Sequence, residues 1–511
     1  MKNILIAIRS IFKKGRHNVM KIVSLGIGLA VGLVLIAKVY FEQSYDDFYP
    51  DRDRVYQVWA KYQQNGGELK DYPQTSGGIA PTMQQQIPEI ETVTRYTSFG
   101  DWTFTMTDTK MKYSGRCIIA DSCFFDILPR PMLIGNAKEV LSTPMYVLVS
   151  SRIAKNIGGD VIGKNFTVDS SPGRTMTIGG VFEEVPENSH SRYDVIVSMA
   201  SAGRFMWEGS PTNMLGNDRY ISYVKLHKGV NPLALEEQVH TFVNSYFPPE
   251  EQQKTGFNIG FSFHELDGLH KELPQVKRMT WILSLLAFAL IFTAVMNYIL
   301  IVISSIVNRS KEVAVHKCYG ASENNIHGMM FGEALVHIVL SLILALLLIL
   351  AFRGTVEELL ATSLDSLLLS NGSLVLLGIC ILVFFVSGFM PGSLYARIPV
   401  ASAFRNYREN KRIWKKALLL VQFVATGFLV TMLVFVARQY TFMVNDRPGY
   451  AYENLAYCGL AGVDSTSRAK ILDEVMRLPG VVAATTVYQL PFEHASGNNI
   501  LLPGETQELF N

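Results

Sequence analysis

Residues 21–38 read KIVSLGIGLAVGLVLIAK, an uncharged run from Ile22 to Ala37 held between Lys21 and Lys38. A helix needs about 20 apolar residues to cross the hydrocarbon core. This run reaches that length once Val39, Tyr40 and Phe41 are counted, and the stem of Lys38 can snorkel towards an interface. Four more uncharged runs follow: Met279 to Asn308, Ala334 to Phe352, Ser366 to Ala396 and Ala417 to Ala437. One such run would fit inside a large soluble core, but five separated by basic clusters do not. The sequence therefore predicts five transmembrane helices. Composition agrees: of 511 residues 49% are hydrophobic and 18% charged, with a mean hydropathy of +0.20, where a soluble domain carries about 25% charge. A net charge of +2 excludes a nucleic-acid-binding stripe. Five cysteines without a Cys-x-x-Cys pair exclude a zinc ribbon, a thioredoxin motif and a disulfide scaffold.

Lysine and arginine in the short connections set the orientation. Lys2, Arg9, Lys13, Lys14, Arg16 and Lys21 precede the first span. Arg309, Lys311 and Lys317 lie between the second and third, and Arg397, Arg405, Arg408, Lys411, Arg412, Lys415 and Lys416 between the fourth and fifth. All fall on one side, so the N-terminus is expected in the cytoplasm and the large domain outside it. The apolar run ends in Ala-Lys-Val-Tyr-Phe, which lacks a small-x-small cleavage site and argues against a cleaved leader. The expected fold class is an α-helical membrane protein with five predicted transmembrane helices plus a large mixed α/β extracytoplasmic domain. Residues 1–21 form a cytoplasmic amphipathic segment, with Leu5, Ile8, Ile11 and Phe12 on one face. Spans at 22–41, 279–308, 331–352, 371–396 and 417–437 enclose the outer domain 42–278, a short and partly helical coupling loop 309–330, a short outer loop 353–370 and a basic linker 397–416. Residues 438–511 remain after the fifth span.

Within 42–278, β-branched runs at Arg54 to Trp59, Val93 to Tyr96, Met145 to Val149, Met176 to Val181 and Tyr220 to Leu226 predict strands. Pro81 to Gln86, Ser151 to Ile157 and Leu233 to Tyr246 predict helices. A repeat is also visible: Ala7-Ile8-Arg9 returns as Ala403-Phe404-Arg405, and Lys21 to Gly32 aligns with Lys416 to Gly427 at a constant offset of 395. A second copy of the unit is thus expected to begin near residue 400. Its outer domain would need more than residues 438–511, so a truncated second half is expected, opening with a helix at Ser465 to Leu478 and a strand at Val481 to Val487.

Four stretches carry a resemblance: Ser44 to Tyr56 (SYDDFYPDRDRVY), Ala120 to Asp126 (ADSCFFD), Pro186 to His190 (PENSH) and Asn308 to Ala321 (NRSKEVAVHKCYGA). Together with the topology they resemble the MacB/FtsX-like permeases of ABC transporters, in the duplicated form. His316 stands where that family usually has arginine. The resemblance implies a membrane (permease) subunit working by mechanotransmission, coupling a separate cytoplasmic ABC ATPase to export or extraction of substrates outside the inner membrane. The alternative is an FtsX-like signalling subunit controlling an extracytoplasmic partner such as a cell-wall hydrolase. In either case Glu312, Lys317, Gly320 and Ala321 are the expected ATPase-coupling residues. The lipid bilayer, a second permease chain (identical or different) and a periplasmic adaptor are the other partners such permeases admit.

No catalytic, cofactor-binding or metal-binding residue is expected. Gly158 to Asn165 (GGDVIGKN) approaches a phosphate-binding loop, but Asn165 lacks the Mg²⁺-ligating hydroxyl and a strand follows instead of a helix. His264 to His270 (HELDGLH) spaces its histidines too widely for one helix face to hold zinc. Cys117 and Cys123 could pair or lie inside as small apolar residues. Asn297 and His337, polar groups inside spans, are expected to hydrogen-bond between helices. Gly26, Gly28, Ala30 and Gly32 give the first span a small-residue contact face.

Overall fold

The computed structural model describes residues 17–400 apart from 65, 170, 217, 370 and 371, then 413–446, 454–460, 463, 465–487, 490, 499–501 and 508–510. The amphipathic positions Leu5, Ile8, Ile11 and Phe12 and the repeat signature Ala403 to Arg405 lie outside these residues, as does most of the linker 397–416. Among the described residues five helices are long and apolar enough to cross a membrane: Asn18–Gln43, Pro274–Ser304, Glu323–Ala351, Ser373–Ala396 and Leu419–Asn445.

The glycines of the opening run explain how the first three spans pack. A Cβ at Gly28 would lie 2.2 Å from the Ala294 Cβ, and one at Gly32 would lie 2.4 Å from Ile291 Cγ1. Gly26 meets Leu344 and the Ser341 carbonyl in the same way. The first span therefore approaches the second and third more closely than any larger residue allows, which is how helices gain contact where lipid offers no hydrophobic drive. The fifth span is different. None of its apolar window is buried, and Gln422 Nε2 donates to Asn297 Oδ1 of the second span at 2.5 Å.

The connections depart from the sequence expectation. The second helix starts early, at Pro274, where a missing N–H costs nothing. It stops at Ser304, and Ser305 turns its hydroxyl back onto the Val302 carbonyl at 2.6 Å. Residues 309–330 are more helical than a partly helical loop. Helix Ile306–Cys318 covers 309–318, burying Val313 and Ala314, and the third span already begins at Glu323 with Ser322 as its cap. Residues 353–370 likewise carry two short helices, Arg353–Leu360 and Leu364–Leu368. Beyond the fifth span the helix Ser465–Met476 is present, but residues 481–487 pair with no strand among the described residues and Val482 is 93% exposed.

Residues between the first two spans form one sheet with strands β1 (Val55–Gln64), β2 (Lys70–Tyr72), β3 (Ile90–Met106), β4 (Lys112–Ala120), β5 (Met132–Ile134), β6 (Tyr146–Ser150), β7 (Asn165–Val168), β8 (Ser171–Phe182), β9 (Val195–Ser198), β10 (Ile221–Leu226) and β11 (Phe257–Glu265). Their order is β11-β1-β10-β3-β4-β9-β6-β8-β5, with β2 on β1 and β7 bridging β3 and β8. The β4–β9 and β6–β8 pairs are parallel and the others antiparallel. The alternation of strand side chains builds two cores from the central strands. Ile118, Ala120, Leu148 and Ile196 join Phe124, Phe182 and Tyr193 on one face. Cys117, Ile119, Val147, Val149, Val195 and Val197 join Phe104 and Phe166 on the other. Each of the valines, leucines, isoleucines and phenylalanines contributes about 1.5–3 kcal/mol on burial, and a strand buried on both faces reads as the unbroken apolar run seen at Val195 to Val197.

Candidate functional site

The stretch Asn308 to Ala321 folds into the helix Ile306–Cys318, here called the link helix, at the end of the bundle away from the α/β domain. Its last turn has a defined chemistry. The Gly320 amide donates to the Lys317 carbonyl and the Ala321 amide to the His316 carbonyl, both at 3.0 Å, while Gly320 adopts φ +85. This is the Schellman arrangement, which stops a helix with a left-handed residue that favours glycine. Close backbone approach is not what requires the glycine, because nothing lies within 4 Å of a Cβ built at Gly320. The glycine serves the turn's dihedral angles. Lys317 Nζ donates to the carbonyls of Ala396 and Ile398, at 2.6 and 2.9 Å, and so ties the link helix to the end of the fourth span. Glu312 is half-buried and lies 3.6 Å from Arg309 Nε. The exposed tip carries two side chains that sequence reading passed over, Tyr319 at 89% exposure and Val315 at 43%. An aromatic just before a helix-stopping glycine was the available signal.

Arg309 needs more than its expected topological role. Its Nη1 lies 2.8 Å from Glu333 Oε2 of the third span, and Glu333 Oε1 lies 3.6 Å from Lys21 Nζ of the first. Glu333 sits immediately before the uncharged run that begins at Ala334, and a lone carboxylate so placed was the missed sign. His337, one turn further on, has its Nδ1 3.2 Å from the Tyr298 hydroxyl of the second span, as expected of a polar group inside a bundle.

At the opposite end, three of the resembling stretches meet. Asp46, buried and at φ +60, accepts from Ser189 Oγ at 3.0 Å, and its Oδ2 lies 2.8 Å from His190 Nδ1. Asn188 Nδ2 donates to the Ser44 carbonyl at 2.6 Å, and His190 Nε2 lies 2.5 Å from the Tyr223 hydroxyl. Phe124 packs in the same core as Tyr49. The first span itself ends in a lock. Lys38 Nζ lies 2.7 Å from Glu42 and donates to Thr362 Oγ1 at 2.8 Å, while the other oxygen of Glu42 lies 2.6 Å from His270 Nε2. Lys38 is thus held inside the protein and does not snorkel. The His270 ring stacks on Tyr45 at 3.4 Å, and burial pushes the Tyr45 phenol up to about 12. The Ser363 amide donates to Glu187 Oε2 at 3.0 Å, bringing the short helices Arg353–Leu360 and Leu364–Leu368 into the same joint. Just beyond, Arg54, then Lys225, hold the Asp51 carboxyl down to about 2.

The other sequence candidates separate cleanly. His264 lies in β11, stacked on Trp59, while His270 sits in a different element. Asn165 opens β7 and Lys164 Nζ donates to the Gly158 carbonyl, so that stretch is a turn before a strand. Cys117 and Cys123 are free thiols, the first fully buried in the core on one face of the sheet and the second donating to the Val93 carbonyl. Among the described residues no group of three or more His, Cys, Asp or Glu could hold a metal ion.

Two family descriptions match the chain. Residues 20–242 match the MacB-like periplasmic core domain, and residues 284–400 match the FtsX-like permease C-terminal region. A solved domain assigned to a permease protein from Porphyromonas gingivalis is 32% identical, covering 42% of this chain and 91% of that one with a TM-score of 0.39. The periplasmic region of MacB from Actinobacillus actinomycetemcomitans is 15% identical, covering 40% and 87% at a TM-score of 0.29. The extracellular domain of the ABC-type transporter YknZ from Gram-positive bacteria is 10% identical, covering 40% and 98% at 0.29. No curated protein matches the sequence.

Proposed function

The chain belongs to the MacB/FtsX-like permeases, as an integral membrane subunit of an ABC-type transporter, and from that premise we propose that it works by mechanotransmission. A separate cytoplasmic ATPase docks on the link helix, and its closure moves the α/β domain outside the inner membrane without substrate crossing the bundle. One observation carries this reading. The first span is held by buried charge at both ends, by Lys21 and Glu333 beside the link helix and by Lys38, Glu42 and His270 beside the α/β domain. A helix fixed at both ends passes on displacement that a hinged one would absorb. The clustering of basic residues at the link-helix end supports a cytoplasmic position for that end.

Docking uses Glu312 and the exposed Val315 and Tyr319, presented by the Gly320 turn. Lys317 acts from behind, fixing the helix to the fourth span. Co-purification of the full chain with its ATPase tests this. Glu312→Trp, Tyr319→Ala and Gly320→Val are each expected to abolish or strongly weaken recovery of the ATPase, and unchanged recovery from all three would overturn the assignment. The same preparation distinguishes export from signalling, since the signalling alternative brings down a cell-wall hydrolase in place of a periplasmic adaptor.

A further inference from the structure

Three charges are shut away together where the link helix meets the bundle. Arg309, Glu333 and Lys21 are each at most 8% exposed in their side chains. The Arg309 guanidinium also stands over the Tyr395 ring of the fourth span at 5.5 Å. One guanidinium and one carboxylate thereby join the link helix to the first, third and fourth spans. Stability alone is a poor reason for such a group. The desolvation cost of a buried ion pair offsets most of its Coulomb attraction, and well-packed apolar side chains often do as well or better. The neighbouring Val302, Ile303 and Met330 show that the site already lies in an apolar core.

What the charges supply is stiffness across two weak points. The link helix is separated from the second span by the break at Ser305 and from the third by the turn at Gly320. Pushed at its tip, the helix would pivot about these breaks and leave the spans where they were. We propose that Arg309, Glu333 and Lys21 are positioning residues forming a charge latch, which makes the link helix and the first span move as one body. The inference rests on the mechanotransmission reading above and says which side chains carry it.

The full chain is purified with the ATPase that accompanies it, and the exposed Cys318 and Cys458 are replaced by serine. Spin labels at L133C and L359C, both exposed, report the distance between the α/β domain and the short helix Arg353–Leu360 as ATP is added. Glu333→Gln is expected to keep ATPase recovery and hydrolysis but lose the ATP-dependent change in distance. The triple variant Lys21→Met, Arg309→Met, Glu333→Met fills the same space without charge. It is expected to accumulate and recruit normally and also to lose the change. A purely structural trio predicts the opposite for this variant, so an ATP-dependent change that persists in it overturns the latch. So does failure of both variants to reach the membrane. If the unmodified latch recruits no ATPase or shows no change, mechanotransmission itself fails and the latch falls with it.

Discussion

Asp51 shows how single residues at the base of the α/β domain set its response to acid. Arg54 Nε lies 3.0 Å and Lys225 Nζ 2.5 Å from its carboxylate, which holds the folded pKa at about 2. An aspartate in the unfolded chain titrates near about 3.9. The folded value is the lower one, so the contribution is fully present above about pH 4 and is lost as pH falls towards 2. Asp51→Asn is therefore expected to lower the thermal midpoint of the detergent-purified chain at pH 7, and the gap from the unmodified chain should close between about pH 4 and 2. A gap independent of pH would mean that Asp51 acts through shape alone. Arg54, the larger cause, stands three residues on in the run DRDRVY itself, but Lys225 is distant in sequence, so that run shows only part of what lowers the carboxyl. Gly320 is the opposite case, because a glycine following an amphipathic run can be read directly as a helix stop.

Among elements, the first span is the most constrained by its sequence. Gly28 faces Ala294 so closely that any side chain there must displace the second span. Gly28→Val is expected to destabilise the bundle by about 1–3 kcal/mol, the usual cost of overpacking, measured as a fall in thermal midpoint in detergent. Gly66→Val, in a turn where nothing lies within 4 Å of a new Cβ, should leave span packing unchanged despite its own positive φ. Equal effects on packing would refute close approach as the reason for the glycine. Apolar length located all five spans, but it could not place their ends. Proline at Pro274 and the polar residues at Glu323 extend two helices beyond their uncharged runs, because helix ends are fixed by capping groups and neighbours and not by hydropathy. The expected strand at residues 481–487 fails for a related reason: a strand needs a partner, and none pairs with it among the described residues.

At the scale of the whole molecule, the joint between bundle and domain hangs on Glu42, which serves Lys38 with one oxygen and His270 with the other. Removing one member of a buried charge group leaves the others uncompensated, at a cost of about 3–5 kcal/mol. Glu42→Gln is expected to speed amide hydrogen exchange at residues 44–49 and 363–368 while leaving β9 protected. Uniform exchange, or none, would show that the joint is not a separate unit of stability. By itself, the sequence determined that the chain crosses a membrane, roughly where, and that a mixed α/β domain lies between the first two spans. Those properties follow from local length and alternation, which depend on near neighbours in the chain and not on distant partners. It also marked the stretches SYDDFYP, PENSH and KCYGA without saying what they do. Only the tertiary structure decided that the first two close on one another through Asp46, Ser189 and His190, that Lys317 holds the fourth span, and that Lys21, Arg309 and Glu333 share one buried site. Electrostatic and hydrogen-bonding partners are chosen by proximity in space, and for residues hundreds of positions apart the chain does not state that proximity until it folds.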